Sequence, residues 1–305
     1  MIRPTLVALA LSAGSIARAE VPAVVTDIPV IQSLAAQVMG NLGTPDVLVN
    51  AGAEPHSYQL RPSQARTIRS ADLIFWVGPE MTPWLDRALQ TAADGSAVAL
   101  LSEHGTTAQP YRQYEEVSVA DQDHEDNDHE QGSIDPHAWL DPANARAWLA
   151  VIGDRLAATD PDNAAIYRQN AETAHKAIAA LEGELQATLA PAAGKPLVMG
   201  HNAYGYFATR FGLTIAATVE AGDAAEPGAA HLSAVTGLLA AHKAVCLFPE
   251  AGHDPKRANL LVEGTATRLG GMLDPEGVTL EPGPALYGAL MRALAQTIAD
   301  CVAQG

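Results

Sequence analysis

Over the first hundred residues, short dense apolar runs alternate with stretches whose apolar positions recur every three or four residues. The runs at 23–26, 47–49, 73–77 and 97–100 have the length and the lack of polar interruption expected of strands buried on both faces. Between them, 30–39, 63–70 and 84–92 carry the helical period. This alternation predicts a mostly parallel sheet with helices on both faces. It resumes in the last third of the chain. Strands are expected at 197–199, 214–219, 245–248 and 271–273, and helices at 204–211, 232–242, 255–269 and 285–302, with a small-residue loop at 221–230.

The middle of the chain is different. A helix is expected at 142–158. Asp160 and Pro161 then form a start signal, a capping residue followed by proline at the first helical position. Ala165, Ala174, Ile178, Leu181, Leu185 and Leu189 keep the helical step until Pro191. About 29 residues at 1.5 Å each give a helix of roughly 43 Å, long enough to cross a two-lobed molecule. The fold class is therefore α/β, with two lobes, each a mostly parallel sheet flanked by helices, joined by one long helix. The expected boundaries are 20–158 for the first lobe, 159–191 for the helix and 192–305 for the second lobe. The stretch from 102 to 140 has no apolar period, and its part at about 115–133 is expected to be a mobile acidic loop, with DQDHEDNDHEQG at 121–132.

The first 19 residues change the picture of where the protein works. Arg3, an apolar stretch over 4–16 and Ala17-Arg18-Ala19 read as a secretory signal peptide cut after Ala19. The apolar run is too short to span a bilayer, which takes roughly 20 residues. No cysteine lies near the cut, so no lipid anchor is expected, and the periplasm is the expected compartment. The charge is acidic, 18 basic against 35 acidic residues and net −17, which argues against a nucleic-acid partner and is compatible with a cationic ligand. Two cysteines, Cys246 and Cys301, suggest a disulfide in an exported chain; two separate thiols are the alternative. A bridge closing about 55 residues is worth about 4 kcal/mol in the chain-entropy model.

Candidate chemistry lies in the histidines. His56, in AEPHSYQLRPSQ, and His201, in VMGHNAYGYF, follow expected strands, and His137, in DPHAWLDP, follows the long loop. Ligands of open α/β sheets bind beyond the carboxyl ends of the strands. Asp274, in GGMLDPEG, also ends an expected strand, so three imidazoles and one carboxylate can meet in a cleft between lobes. Zn²⁺ takes four such ligands in a tetrahedron, whereas manganese and magnesium prefer carboxylate-rich octahedra. Glu250 and His253, in FPEAGHDP, are candidate partners of the ligating imidazoles. Glu226 and His231 flank the 221–230 loop as candidate gates, and His104, His175 and His242 read as surface residues. His124 and His129, among carboxylates that concentrate cations, are candidates for transient metal capture.

The segments PHSYQLRPSQ, DPHAWLDP, HNAYGYFATRFGL and LDPEG resemble the metal-binding periplasmic proteins of ABC transporters, in the zinc branch of ZnuA-like proteins. The match runs along almost the whole mature chain, and its combination of residues looks like the AztC-type subset. The resemblance implies His56, His137 and His201 as ligands with Asp274 as the fourth, and it supports a Cys246–Cys301 bridge. It implies a monomeric, non-enzymatic carrier whose cargo is Zn²⁺ and whose partners are a membrane permease and a periplasmic zinc metallochaperone. His201 stands where manganese-binding relatives tend to have glutamate, which favours zinc. The loop holds only two histidines, fewer than in many zinc members. The readings to be distinguished from zinc delivery are a manganese-binding homologue and a zinc-dependent hydrolase with Glu250 as general base.

Overall fold

The computed structural model describes residues 21–49, 51–90, 95–114, 133–220 and 227–304. The expected signal peptide, His124, His129 and Glu226 lie outside the described residues.

The first half contains strands β1 (Val24–Thr26), β2 (Asp46–Val47), β3 (Leu73–Trp76) and β4 (Ala97–Ala99), with helices α1 (Pro29–Met39), α2 (Pro62–Ser70) and α3 (Pro83–Leu89) between them. All pairings are parallel, in the order β2-β1-β3-β4. β1 and β3 are buried at every position, as the unbroken VVT and LIFW runs require of strands covered on both faces.

The second half repeats this plan with β5 (Pro196–Met199), β6 (Thr214–Thr218), β7 (Cys246–Phe248) and β8 (Arg268–Leu269), all parallel, in the order β6-β5-β7-β8. In each sheet the chain builds to one side of its first strand and then crosses to the other. A topological switch point therefore lies between β1 and β3, and another between β5 and β7.

Helices α4 (Pro142–Thr159) and α5 (Ala164–Leu189) carry the chain from one sheet to the other. α5 spans about 39 Å at 1.5 Å per residue. Asp160 organises its start, accepting hydrogen bonds from the Asn163 side chain at 2.7 Å and the Tyr167 hydroxyl at 2.9 Å. Pro161 opens a single 3₁₀ turn rather than the α-helix itself, and a second 3₁₀ turn, Ala190–Ala192, surrounds Pro191. The buried stripe of α5 (Tyr167, Ala171, Ala174, Ile178, Leu181, Leu185, Leu189) packs on α1, α4 and the closing helix α9 (Leu286–Ala303). One hydrophobic core thus runs from Val24 in the first sheet to Val302 in α9. Among the described residues no helix is long and apolar enough to cross a membrane.

Helix α6 (Gly205–Phe211) follows β5, and α7 (Ala229–Ala240) precedes β7. The helix expected over 255–269 is shorter: α8 is Pro255–Val262. Gly264 takes a left-handed φ of +74° just beyond it, which frees the chain to form β8 at Arg268–Leu269. The strand expected at 271–273 is reduced to a single bridge between Leu273 and Glu250. Cys246 and Cys301 form a disulfide that fastens β7 to α9. His104, His175 and His242 are exposed, as expected.

At the first switch point, Asp27 ties three strand ends together. Its carboxylate accepts from the amides of Ile28 at 2.8 Å and Val77 at 2.9 Å, and its carbonyl accepts from Val49 at 2.9 Å. Burial pushes its carboxyl up to about 6, against hydrogen bonds that pull it down. The folded chain therefore holds this proton more tightly than the unfolded chain. Stability from this group is fully present below about pH 4 and is lost as pH rises through about 6, a change of about 3 kcal/mol. Asp27→Asn removes the titration. In urea unfolding, the stability of the wild type relative to this variant is expected to fall by about that amount between pH 4 and 7. A difference that stays flat across this range rules out a proton held by burial at Asp27.

Candidate metal centre

Four segments bring their side chains to one place. His56 sits in the loop after β2. Its amide donates to the Glu54 carboxylate at 2.9 Å, and the preceding carbonyl, of Pro55, accepts from the Trp84 indole at 2.6 Å. His137 opens the 3₁₀ turn Ala138–Leu140 ahead of α4. Asp135 holds it by one oxygen, which takes both the His137 amide at 2.9 Å and Nδ1 at 2.8 Å. Gly205 allows this arrangement, because a Cβ there would lie 2.9 Å from the Asp135 carboxylate.

His201 follows β5 directly. Gly200 lets that turn pass against β7, since a Cβ would stand 3.0 Å from Glu250 Cβ. Glu250 contacts Nδ1 of His201 through one oxygen and accepts from the Tyr204 hydroxyl at 2.8 Å through the other. This turns Nε2 of His201 away from Glu250. The fourth side chain is Glu276, whose Oε1 lies 3.9 Å from His56 Nε2 and 3.8 Å from His137 Nε2.

His56, His137, His201 and Glu276 each offer one ligand atom, all within 4.8 Å of one another. Their side chains are no more than 6% exposed. In a tetrahedron with bonds near 2.1 Å the ligand atoms stand about 3.4 Å apart, so the Glu276 contacts to His56 and His137 need to close by only about half an ångström around a cation. Three imidazoles and one carboxylate are a donor set that suits Zn²⁺.

Asp274 is not a member of this group. One carboxylate oxygen accepts from the Val278 amide at 3.0 Å, and the other from the Thr279 amide at 2.8 Å and from its hydroxyl. Asp274 therefore folds the loop, and Glu276, two residues on, faces the imidazoles. The usable signal was local: an aspartate ahead of Pro275 and Gly277 is the residue type that binds its own following amides in a turn. Glu250 lies on the Nδ1 side of His201, and the His253 ring stacks on the His201 ring with centroids 5.8 Å apart. His231 reaches back to the Thr218 carbonyl at 2.9 Å.

The electrostatics fit a cation. Burial raises the Glu276 carboxyl above its ordinary value, His137 draws it back, and the neighbouring Glu250 charge adds to the rise. Glu54 is pushed up to about 7 by burial and by Glu276. Closely spaced carboxyls that resist ionisation are relieved when a divalent ion enters among them.

Two parallel α/β lobes with buried histidines gathered where they meet define a metal-binding protein of the two-lobed α/β class. The model of the family described as "Zinc-uptake complex component A periplasmic", ZnuA, matches residues 24–301, and the chain belongs to this family. It is 47% identical to the high-affinity zinc uptake system protein ZnuA of Paracoccus denitrificans, over 99% of each chain. It is 34% identical to the protein of that name from Brucella suis, over 95% of each. Among solved structures it resembles a crystal structure of ZnuA (TM-score 0.75, 22% identity, 92% of this chain and 99% of that one). It also resembles a Mn-bound periplasmic metal-binding protein from Candidatus Liberibacter asiaticus (TM-score 0.76, 22% identity, 92% and 99%). At this identity the two structures speak to the fold alone.

Asp135 gives a direct test of the centre. Loss of a hydrogen-bond partner behind a ligating imidazole costs about 10–100-fold in metal affinity. Asp135→Ala is expected to weaken Zn²⁺ binding by that factor in a chelator-competition titration. Asp135→Asn retains one oxygen that can accept both bonds, and should fall between the alanine variant and wild type. Equal affinities for all three chains remove Asp135 from any role at the centre.

Proposed function

We propose that the protein is the periplasmic zinc-binding component of an ABC importer, holding Zn²⁺ between His56, His137, His201 and Glu276 and delivering it to the membrane permease. The convergence of these four buried groups from both halves of the chain carries the reading. The names of its full-length relatives agree with it.

Four protein ligands close the shell, and a closed shell suits holding and transfer rather than catalytic turnover, which needs an open position for water. Glu250 would serve a hydrolase as general base only from the metal side, yet it contacts His201 Nδ1 and accepts from Tyr204. Three nitrogen donors and one oxygen also favour zinc over manganese.

The finer parts of the proposal rest on the sequence. The chain is exported by residues 1–19 and acts as a monomer. His124 and His129 receive zinc from a periplasmic metallochaperone and pass it inward. Replacing both by alanine should then slow zinc transfer from such a donor while leaving equilibrium affinity within about twofold of wild type, since weak capture contributes little to a buried four-ligand site. Unchanged transfer from the donor eliminates the capture role.

The ligand assignment separates two neighbouring carboxylates. Glu276→Gln should cost more zinc affinity than the roughly 10–100-fold loss typical of an outer partner. Asp274→Asn should cost no more than that range, because its effect passes through the loop. The reverse order in a competition titration restores Asp274 as the fourth ligand. Two equally unaffected variants leave only the imidazoles.

A further inference from the structure

Behind His201 lies a second group of ligating side chains that the four-ligand centre does not use. His201, Glu250 and His253 each offer a ligand atom within 4.8 Å of the others. They stand at the second switch point, where the chain leaves β5 and β7. His253 Nε2 is 4.0 Å from Glu250 Oε1, and that same oxygen contacts His201 Nδ1. The His253 and His201 rings are stacked, 5° from parallel.

The outer imidazole is aimed by a built arrangement. His253 Nδ1 pairs with Glu220 at 2.9 Å, and the other oxygen of Glu220 accepts from Arg257 of α8 at 2.7 Å. With Nδ1 committed to Glu220, Nε2 is the ring nitrogen nearest Glu250. A cavity of about 20 Å³ lies on the Glu250 and His253 side of this group, lined in part by Gly200, Glu220, Glu250, His253 and Arg257, whose guanidinium is paired with Glu220. That is room for about one water molecule, and so for one ion of similar size. Exposure is graded along the group. The His253 side chain is 25% exposed, and those of His201 and Glu250 are 3% and 2% exposed.

We propose that His253, Glu250 and His201 form a second, outer position for Zn²⁺ through which the ion exchanges with the buried centre. The inference rests on His201 being a ligand of that centre. A neutral imidazole carries one proton and offers one nitrogen to a metal. His201 therefore serves the inner position through Nε2 with its proton on Nδ1, or the outer position through Nδ1 with its proton on Nε2. Because His201 cannot serve both at once, the two positions alternate. Wild type accordingly binds one equivalent tightly, and the outer position becomes measurable when the inner one is disabled.

The experiment uses the full chain carrying His56→Ala and His137→Ala, with His124 and His129 also replaced by alanine to remove the other candidate ligands. Zn²⁺ is titrated against a chromophoric chelator. This chain should retain one weaker equivalent. Adding His253→Ala, or His253→Gln as a closer replacement in size, should weaken that equivalent at least as much as the roughly 10–100-fold cost of an outer partner. Circular dichroism and melting establish that each variant is folded. The absence of any residual equivalent, or a residual equivalent indifferent to both His253 variants, overturns the outer position. Failure of the inner-site reading looks different: wild-type affinity then survives the His56 and His137 replacements. Sensitivity of that affinity to His253 still decides for or against the outer position.

Discussion

Three imidazoles and a carboxylate share a space from which water is nearly excluded, and much of the rest of the structure serves to keep them there. Buried ionisable groups are costly unless something of opposite charge or a hydrogen bond accompanies them. Here Glu276 faces two imidazole nitrogens at just under 4 Å, too far for a hydrogen bond and close to the span of a coordination shell. The raised Glu276 carboxyl is the same fact expressed as proton affinity. A divalent ion resolves the conflict by supplying charge where only protons otherwise can.

Holding such a group takes a scaffold that does not yield. The two sheets have the same strand order, and each presents loops at the carboxyl ends of its strands. A single apolar core passing through α1, α5 and α9 fixes one sheet against the other. Between these four side chains and that core stand residues that orient the rings: Asp135 behind His137, and Glu250 with Tyr204 behind His201. Asp274 acts one step further back, shaping the loop from which Glu276 projects.

What could be read from sequence followed this division. β1 and β3 were legible because strands buried on both faces are dense in apolar residues, and α5 because its stripe is long and Asp160 caps the 3₁₀ turn that leads into it. His56, His137 and His201 were legible as polar residues placed just beyond apolar runs or at the end of the long loop. Asp274 and Glu276 were not separable in this way. They sit two residues apart in one tight loop, and which of them faces inward is decided by hydrogen bonds to Val278 and Thr279, not by hydropathy. β8 was missed for a related reason. Its two residues are too few to show a period, and only the conformation at Gly264 ends the helix before them.

The same ties show how the shell is divided. His137 is bound to the second half of the molecule. The Tyr206 hydroxyl donates to the Asp135 carbonyl at 2.8 Å, the Trp139 indole donates to the Pro275 carbonyl at 2.8 Å, and Arg210 clasps Asp141 at 2.7 and 2.8 Å. His201 and Glu276 already belong to that half. Three of the four side chains thus form one mechanical unit, and His56 faces them from the loop after β2. That loop reaches across through the Gly52 amide, which donates to the Val278 carbonyl at 2.9 Å. Parting the lobes would tear the continuous core that α1, α5 and α9 share. The four side chains thus divide into three tied to the second half of the chain and one, His56, supplied by the loop after β2.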